Sequence, residues 1–155
     1  MNIVLHQPEI PHNTGAIGRT CLVTGAKLHL IRPYGFYLDE KALKRAGMDY
    51  WYKIDVREHN NFAHFVEAIG TPHSRIYLVE TGGNKTYADV KYSPNDYIVF
   101  GSETAGLPPA LLDEYRDCVV SIPMVGDARS LNLSVAVGIV LYEALRQNKF
   151  GRCGD

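Results

Sequence analysis

The sequence predicts an α/β fold with a largely parallel sheet, and two observations carry that prediction. Short apolar runs rich in Ile, Val, Tyr and Phe recur at 2–5, 27–31, 75–79, 96–100 and 118–122. Helical patterns fall between them at 14–24, 39–46, 60–69 and 109–115, with a long one at 131–148. Runs that are apolar at nearly every position mark strands buried on both faces, which is the burial that a parallel sheet imposes. A weaker strand is expected at 51–56.

Several helix ends carry their own punctuation. Asn13 is placed to cap the first helix and Gly25 to end it. Pro108 and Pro109 suit the opening turn of another helix, and Ser130 is placed to cap the last. In an open α/β sheet the ligand crevice lies beyond the carboxyl ends of the strands, so loops that follow strands hold the candidate site.

Composition bounds the function. The chain has 155 residues, 46% apolar and 21% charged, with no low-complexity tract or repeat, so a single domain over 1–155 is expected. A formal net charge of −1 argues against coating nucleic acid by bulk electrostatics and leaves local basic patches to hold any such partner. Two such groups exist: Lys41, Lys44 and Arg45, then Arg146, Lys149 and Arg152, each more often a solvated face than a phosphate site. Three cysteines without a CxxC pair fit a reducing, cytoplasmic setting. The opening MNIVLHQPEI lacks a basic and apolar leader, and the stretch 133–145 is interrupted by Glu143, so neither secretion nor membrane insertion is expected. Six histidines without an HxxxH or HExxH arrangement give no metal site. The absence of a GxSxG elbow disfavours hydrolytic covalent catalysis.

Three stretches stand out. The first, 8–19, runs from a strand into a helix with two prolines, then Asn13, Gly15, Gly18 and Arg19; alone, Arg19 reads as well as a solvated arginine. The second, 100–109, contains Gly101, Glu103 and Gly106 but matches neither GxGxxG nor GxxxxGK[ST], so phosphate cradling is not its obvious use. The third, 122–134, joins Ile122, Pro123 and Met124 to a helix start with Ser130, Leu131, Asn132, Leu133 and Ser134. The helix that follows is apolar around almost its whole circumference, so it is covered by its own core or by a second copy of the chain.

The three motifs in this order, Asn13-x-Gly15-x-x-x-Arg19, Gly101-x-Glu103-x-x-Gly106-Leu107-Pro108, and Ile122-Pro123-Met124 followed by Ser130-Leu131-Asn132-Leu133-Ser134, resemble the SPOUT class of RNA 2′-O-ribose methyltransferases. A fourth segment, from Arg32-Pro33-Tyr34-Gly35-Phe36 to Ala46-Gly47-Met48-Asp49-Tyr50-Trp51, resembles the minimal subgroup that methylates the wobble cytidine or uridine of tRNA. The resemblance implies a Rossmann-like sheet with a C-terminal deep trefoil knot, S-adenosylmethionine as cofactor, the tRNA anticodon loop as partner, leucine tRNAs as substrates, and a homodimer through the C-terminal helix. It implies cofactor contacts at Leu78, Val79, Gly101, Ile122, Met124, Ser130 and Leu131. It marks Arg19 for catalysis, with Asn13, Glu103, Ser130 and Asn132 shaping the pocket and Tyr142 a further candidate for substrate contact. A guanidinium with a pKa above about 12 is a poor base, so Arg19 is expected to bind a phosphate and stabilise the developing alkoxide. Ribosomal RNA, another tRNA position, and a non-catalytic RNA-binding role remain the alternatives.

Overall fold

The computed structural model describes residues 1–45 and 48–151; 46–47 and 152–155, and with them Ala46, Gly47, Arg152 and Cys153, lie outside them, as do the side chains of Glu40, Lys44 and Ser74. The strands are β1 (Asn2–His6), β2 (Lys27–Ile31), β3 (Val56–His59), β4 (Ile76–Val79), β5 (Lys85–Thr86), β6 (Tyr97–Phe100) and β7 (Val119–Ser121). The helices are α1 (Pro11–Thr24), α2 (Glu40–Arg45), α3 (Phe62–Ile69), α4 (Pro109–Glu114) and α5 (Leu133–Gln147). The strands form one sheet in the order β3-β2-β1-β6-β4-β7-β5, and all six pairings are parallel.

Both faces of this sheet are covered, which is why its central strands read as unbroken apolar runs. On one face Ile3, Leu5, Leu28, Ile98 and Phe100 pack with Ile17 and Cys21 of α1 and with Val137, Val140, Leu141 and Ala144 of α5. On the other, Val4, Ile76, Leu78 and Val99 pack with Phe65 of α3 and with Leu107 and Tyr115. At the strand starts, buried Asp96 accepts from the Arg75 guanidinium and from the Ser93 N–H at 2.7 Å. No helix among the described residues is long and apolar enough to cross a membrane.

Three local expectations are corrected. Asn13 does not cap α1: Pro11 takes the first helical position behind an extended Ile10, so the helix starts earlier and Asn13 lies inside it. Ser130 does not cap α5: Asn132 does, its Oδ1 accepting from Ser134 N–H at 2.9 Å and Val135 N–H at 3.4 Å. The weak strand at 51–56 resolves into a 3₁₀ turn at Trp51–Lys53 followed by β3. As an edge strand with one neighbour, β3 tolerates Arg57 and Glu58, and so lacks the apolar signature. The two-residue β5 had no expectation at all. Gly25 does end α1, in the left-handed conformation at φ 71°, and Pro109 opens α4.

Candidate active site

β1 leads to β2 on one side, while β6 and β4 lie on its other side, so the strand order reverses there and opens a crevice at the carboxyl ends. A cavity of about 630 Å³ fills that crevice, walled by the ends of β4 and β6, the loops after β4, β6 and β7, and the start of α1.

The loop after β6 is folded tightly on itself. Ser102 and Gly106 exchange two backbone hydrogen bonds at 3.2 and 3.0 Å. A Cβ on Gly101 would sit 2.1 Å from the Gly106 carbonyl carbon, so only glycine permits the closure. Gly106 adopts φ +67°, and a Cβ there would meet Glu80 Oε2 at 2.7 Å.

Two carboxylates tie this loop down, one from the end of β4 and one of its own. Glu80, the residue after β4, accepts the Leu107 N–H at 3.0 Å. Glu103 accepts the backbone N–H groups of Glu9 at 2.7 Å and Ile10 at 3.0 Å, and the Asn13 amide at 3.2 Å. An anion so placed suits the positive end of α1, which has no side-chain cap of its own. Glu9 answers by accepting the Thr104 N–H and hydroxyl, both at 2.9 Å. With its Nδ2 committed to Glu103, Asn13 turns its Oδ1 to the Asn132 amide at 3.0 Å. A continuous polar chain therefore links the β6 loop, α1 and the start of α5.

Of the residues singled out in the sequence, Asn13, Glu103, Ser130 and Asn132 line this cavity, and so do Val79, Gly101, Ile122, Met124 and Leu131. Leu78 is completely buried in the opposite core, leaving Val79 on the wall. Arg19 lies elsewhere, in a second pocket of about 260 Å³ formed with His12, Gly15, Ala16, Met48 and Tyr50. Its guanidinium carbon sits 4.7 Å from the Tyr50 ring centre, and the Tyr50 hydroxyl donates to the Gly15 carbonyl at 2.8 Å. Gly15 allows this approach, since a Cβ there would strike Met48 Sδ at 2.5 Å.

Sequence reasoning passed over Glu80, Thr81, Thr104 and Arg129, all on the cavity wall. For Glu80 a signal existed, because it is a carboxylate directly after a predicted parallel strand. Elsewhere, the C-terminal basic group is partly neutralised. Arg146 forks onto Glu143 at 2.8 and 2.9 Å, and these hydrogen bonds, with that from Gln147, bring the Glu143 carboxyl down to about 2. Among the described residues, no group of three or more His, Cys, Asp or Glu is placed to hold a metal ion.

A crevice at the strand reversal, walled by three motif-bearing loops, defines a class of ligand-binding α/β enzyme domain. The chain belongs to the SpoU rRNA Methylase family, whose model matches residues 1–142. Membership places the sheet among the knotted α/β methyltransferase folds expected from the motifs. The tRNA (cytidine(34)-2′-O)-methyltransferase of Escherichia coli K12 is 47% identical over 148 residues, covering 95% of this chain and 93% of that protein. A solved structure described as giving insights into the 2-OH methylation of C/U34 on tRNA has a TM-score of 0.87 at 45% identity, covering 97% of both chains. An AdoMet-bound rRNA methyltransferase from Sinorhizobium meliloti has a TM-score of 0.80 at 28% identity, covering 94% of this chain and 55% of the other.

Proposed function

We propose that residues 1–155 act as one catalytic domain that methylates the ribose 2′-hydroxyl of tRNA nucleotide 34, cytidine or uridine, using S-adenosylmethionine and working as a homodimer. The observation that carries this reading is the near full-length match to tRNA (cytidine(34)-2′-O)-methyltransferases, with the three motif loops lining one cavity.

The residues present fit the cofactor. The volume is of ligand size, with Val79, Phe100, Ile122 and Leu133 offering apolar walls and Glu80, Arg129, Ser130 and the glycine-rich backbone offering polar groups. Val79, Gly101, Ile122, Met124, Ser130 and Leu131 would hold it, with Leu78 supporting the wall from behind. When bound, the sulfonium supplies an already activated methyl group, so the protein has mainly to align an oxygen with it.

Arg19 is the residue assigned to that oxygen and its neighbouring phosphate. A planar guanidinium donates to two oxygens at once and stays charged, which suits an alkoxide and a phosphodiester but not proton abstraction. A phosphate oxygen or water takes the proton. Asn13, Glu103 and Asn132 act as positioning residues, since their polar groups are spent on one another and on the helix starts.

Arg19 lies outside the cofactor cavity of its own chain, which favours a site completed by a second copy. The surface for that copy is the α5 stripe of Val135 and Tyr142, which are 50% and 48% exposed, with Leu131, 39% exposed, just ahead of the helix. Gly138 lies between them at helical spacing and has open space above it. The substrate of this reading is the anticodon loop of leucine tRNAs, met by the dimer.

The test incubates purified protein with labelled S-adenosylmethionine and tRNA from cells lacking this gene, then maps the label after nuclease digestion. Label on a 2′-O-methyl nucleotide at the wobble position is expected. Label on ribosomal RNA alone overturns the substrate assignment but keeps the chemistry, and no label with a folded protein overturns both.

A further inference from the structure

Three charged side chains line the large cavity: Glu80, Glu103 and Arg129. They are not equivalent. Glu103 faces the backbone N–H groups at the start of α1, whose partial positive charge offsets its own. Glu80 faces no helix start. Its Oε2 meets only the Leu107 N–H, and its Oε1 meets the N–H and hydroxyl of its neighbour Thr81 at 2.9 and 3.3 Å. Among the described residues no Lys, Arg or His forms an ion pair with it. The backbone fixes its place, because the Glu80 N–H donates to the Val120 carbonyl at 3.0 Å and Gly106 closes over the carboxylate from the other side. A carboxylate that forms no ion pair among the described residues is therefore held in place on the wall of a cavity that Arg129 also lines.

We propose that the Glu80 carboxylate makes this cavity selective for the sulfonium methyl donor over its demethylated product, whose sulfur carries no charge. The inference rests on the cofactor reading given above. Methyl transfer removes the sulfonium charge, so S-adenosylmethionine and S-adenosylhomocysteine differ by one unit of charge and one methyl group. A fixed carboxylate attracts the first electrostatically and is nearly indifferent to the second, which promotes exchange of spent product for fresh donor. In a partly solvated cavity, one charge several ångströms away changes affinity about five- to tenfold.

Glu80→Gln removes the charge and keeps an oxygen for the Leu107 N–H. Titration calorimetry on the purified full-length protein, without tRNA, should show S-adenosylmethionine weakening about five- to tenfold in this variant. Sinefungin, which carries an amine in place of the sulfonium, should weaken with it, while S-adenosylhomocysteine stays within about twofold. Glu80→Ala also frees the Leu107 N–H and should weaken all three. Equal weakening of all three by Glu80→Gln, or no change in any, overturns the proposal and leaves the cofactor reading standing. A wild-type protein that binds none of them overturns that reading and the proposal together.

Discussion

The side chains of Asn13 and Asn132 meet head on, the amide of Asn132 donating to the carbonyl oxygen of Asn13 at 3.0 Å across 119 residues of sequence. Each has a second duty, Asn13 to Glu103 and Asn132 to the start of α5, so one bond joins the first motif to the third and the second.

That bond gives the first prediction. Asn132→Asp retains the oxygen that caps α5 but replaces the donor to Asn13 with another acceptor. Helix stability should hold within about 0.5 kcal/mol, while S-adenosylmethionine binds several-fold more weakly because Asn13 loses its anchor. Asn132→Ala loses both and should cost about 1 kcal/mol in addition. Urea unfolding and calorimetry separate the two effects; equal affinity in Asn132→Asp and wild type would remove the link from the site.

Arg19→Lys keeps the charge but loses the planar fork. Because Arg19 lines a pocket separate from the cofactor cavity, affinity for S-adenosylmethionine should be unchanged. The rate constant for methyl transfer should fall by about a hundredfold or more in single-turnover assays. Near-normal turnover in a folded variant means the bidentate role is wrong.

Stability should decline as pH falls from 7 to 4. Nδ1 of His29 lies 2.9 Å from Nε2 of His59 in a buried stack beside Phe65, and the other nitrogen of each ring has no partner among the described residues. Burial, then the neighbouring His59, lowers His29 from 6.5 to about 4, and burial lowers His59 as well. Below pH 6.5 the unfolded chain takes up protons that the folded chain refuses, so the contribution is full above 6.5 and is lost toward about 4. His29 alone accounts for about 3 kcal/mol over that window. Urea unfolding at stepped pH measures the slope, and a His29→Gln variant should lose most of it.

Val135→Glu tests the α5 surface. The position is half exposed and lies three residues after the Asn132 cap, where a glutamate suits the helix start. The folded chain should keep its stability while a pair of buried charges drives the dimer apart, and sedimentation should show a monomer with little methyl transfer. A dimer that persists would place the contact on another face.

The central strands were legible because burial on both faces writes itself into consecutive residues, as at Ile3, Val4 and Leu5. β3 was misplaced because its single neighbour leaves Arg57 and Glu58 free to face water. Helix starts went wrong by a few residues where two residues competed for the cap: Pro11 with its preset φ displaced Asn13, and Asn132 displaced Ser130. Glu80 was marked by its place directly after a strand, but its contact with the Leu107 N–H, 27 residues on, is written nowhere beside it in the chain.

By itself, the sequence determined the alternation of strands and helices, the three motif loops and the apolar last helix, because strand burial, turn chemistry and helix periodicity each act over a few neighbouring residues. Only the tertiary structure decided that those loops enclose one cavity, that Glu80 and Glu103 tie the glycine loop to the end of β4 and to the start of α1, and that Arg19 falls in another pocket. These relationships are hydrogen bonds and close approaches between residues far apart in the chain. The order in which the strands pair, rather than any local preference, brings such residues together.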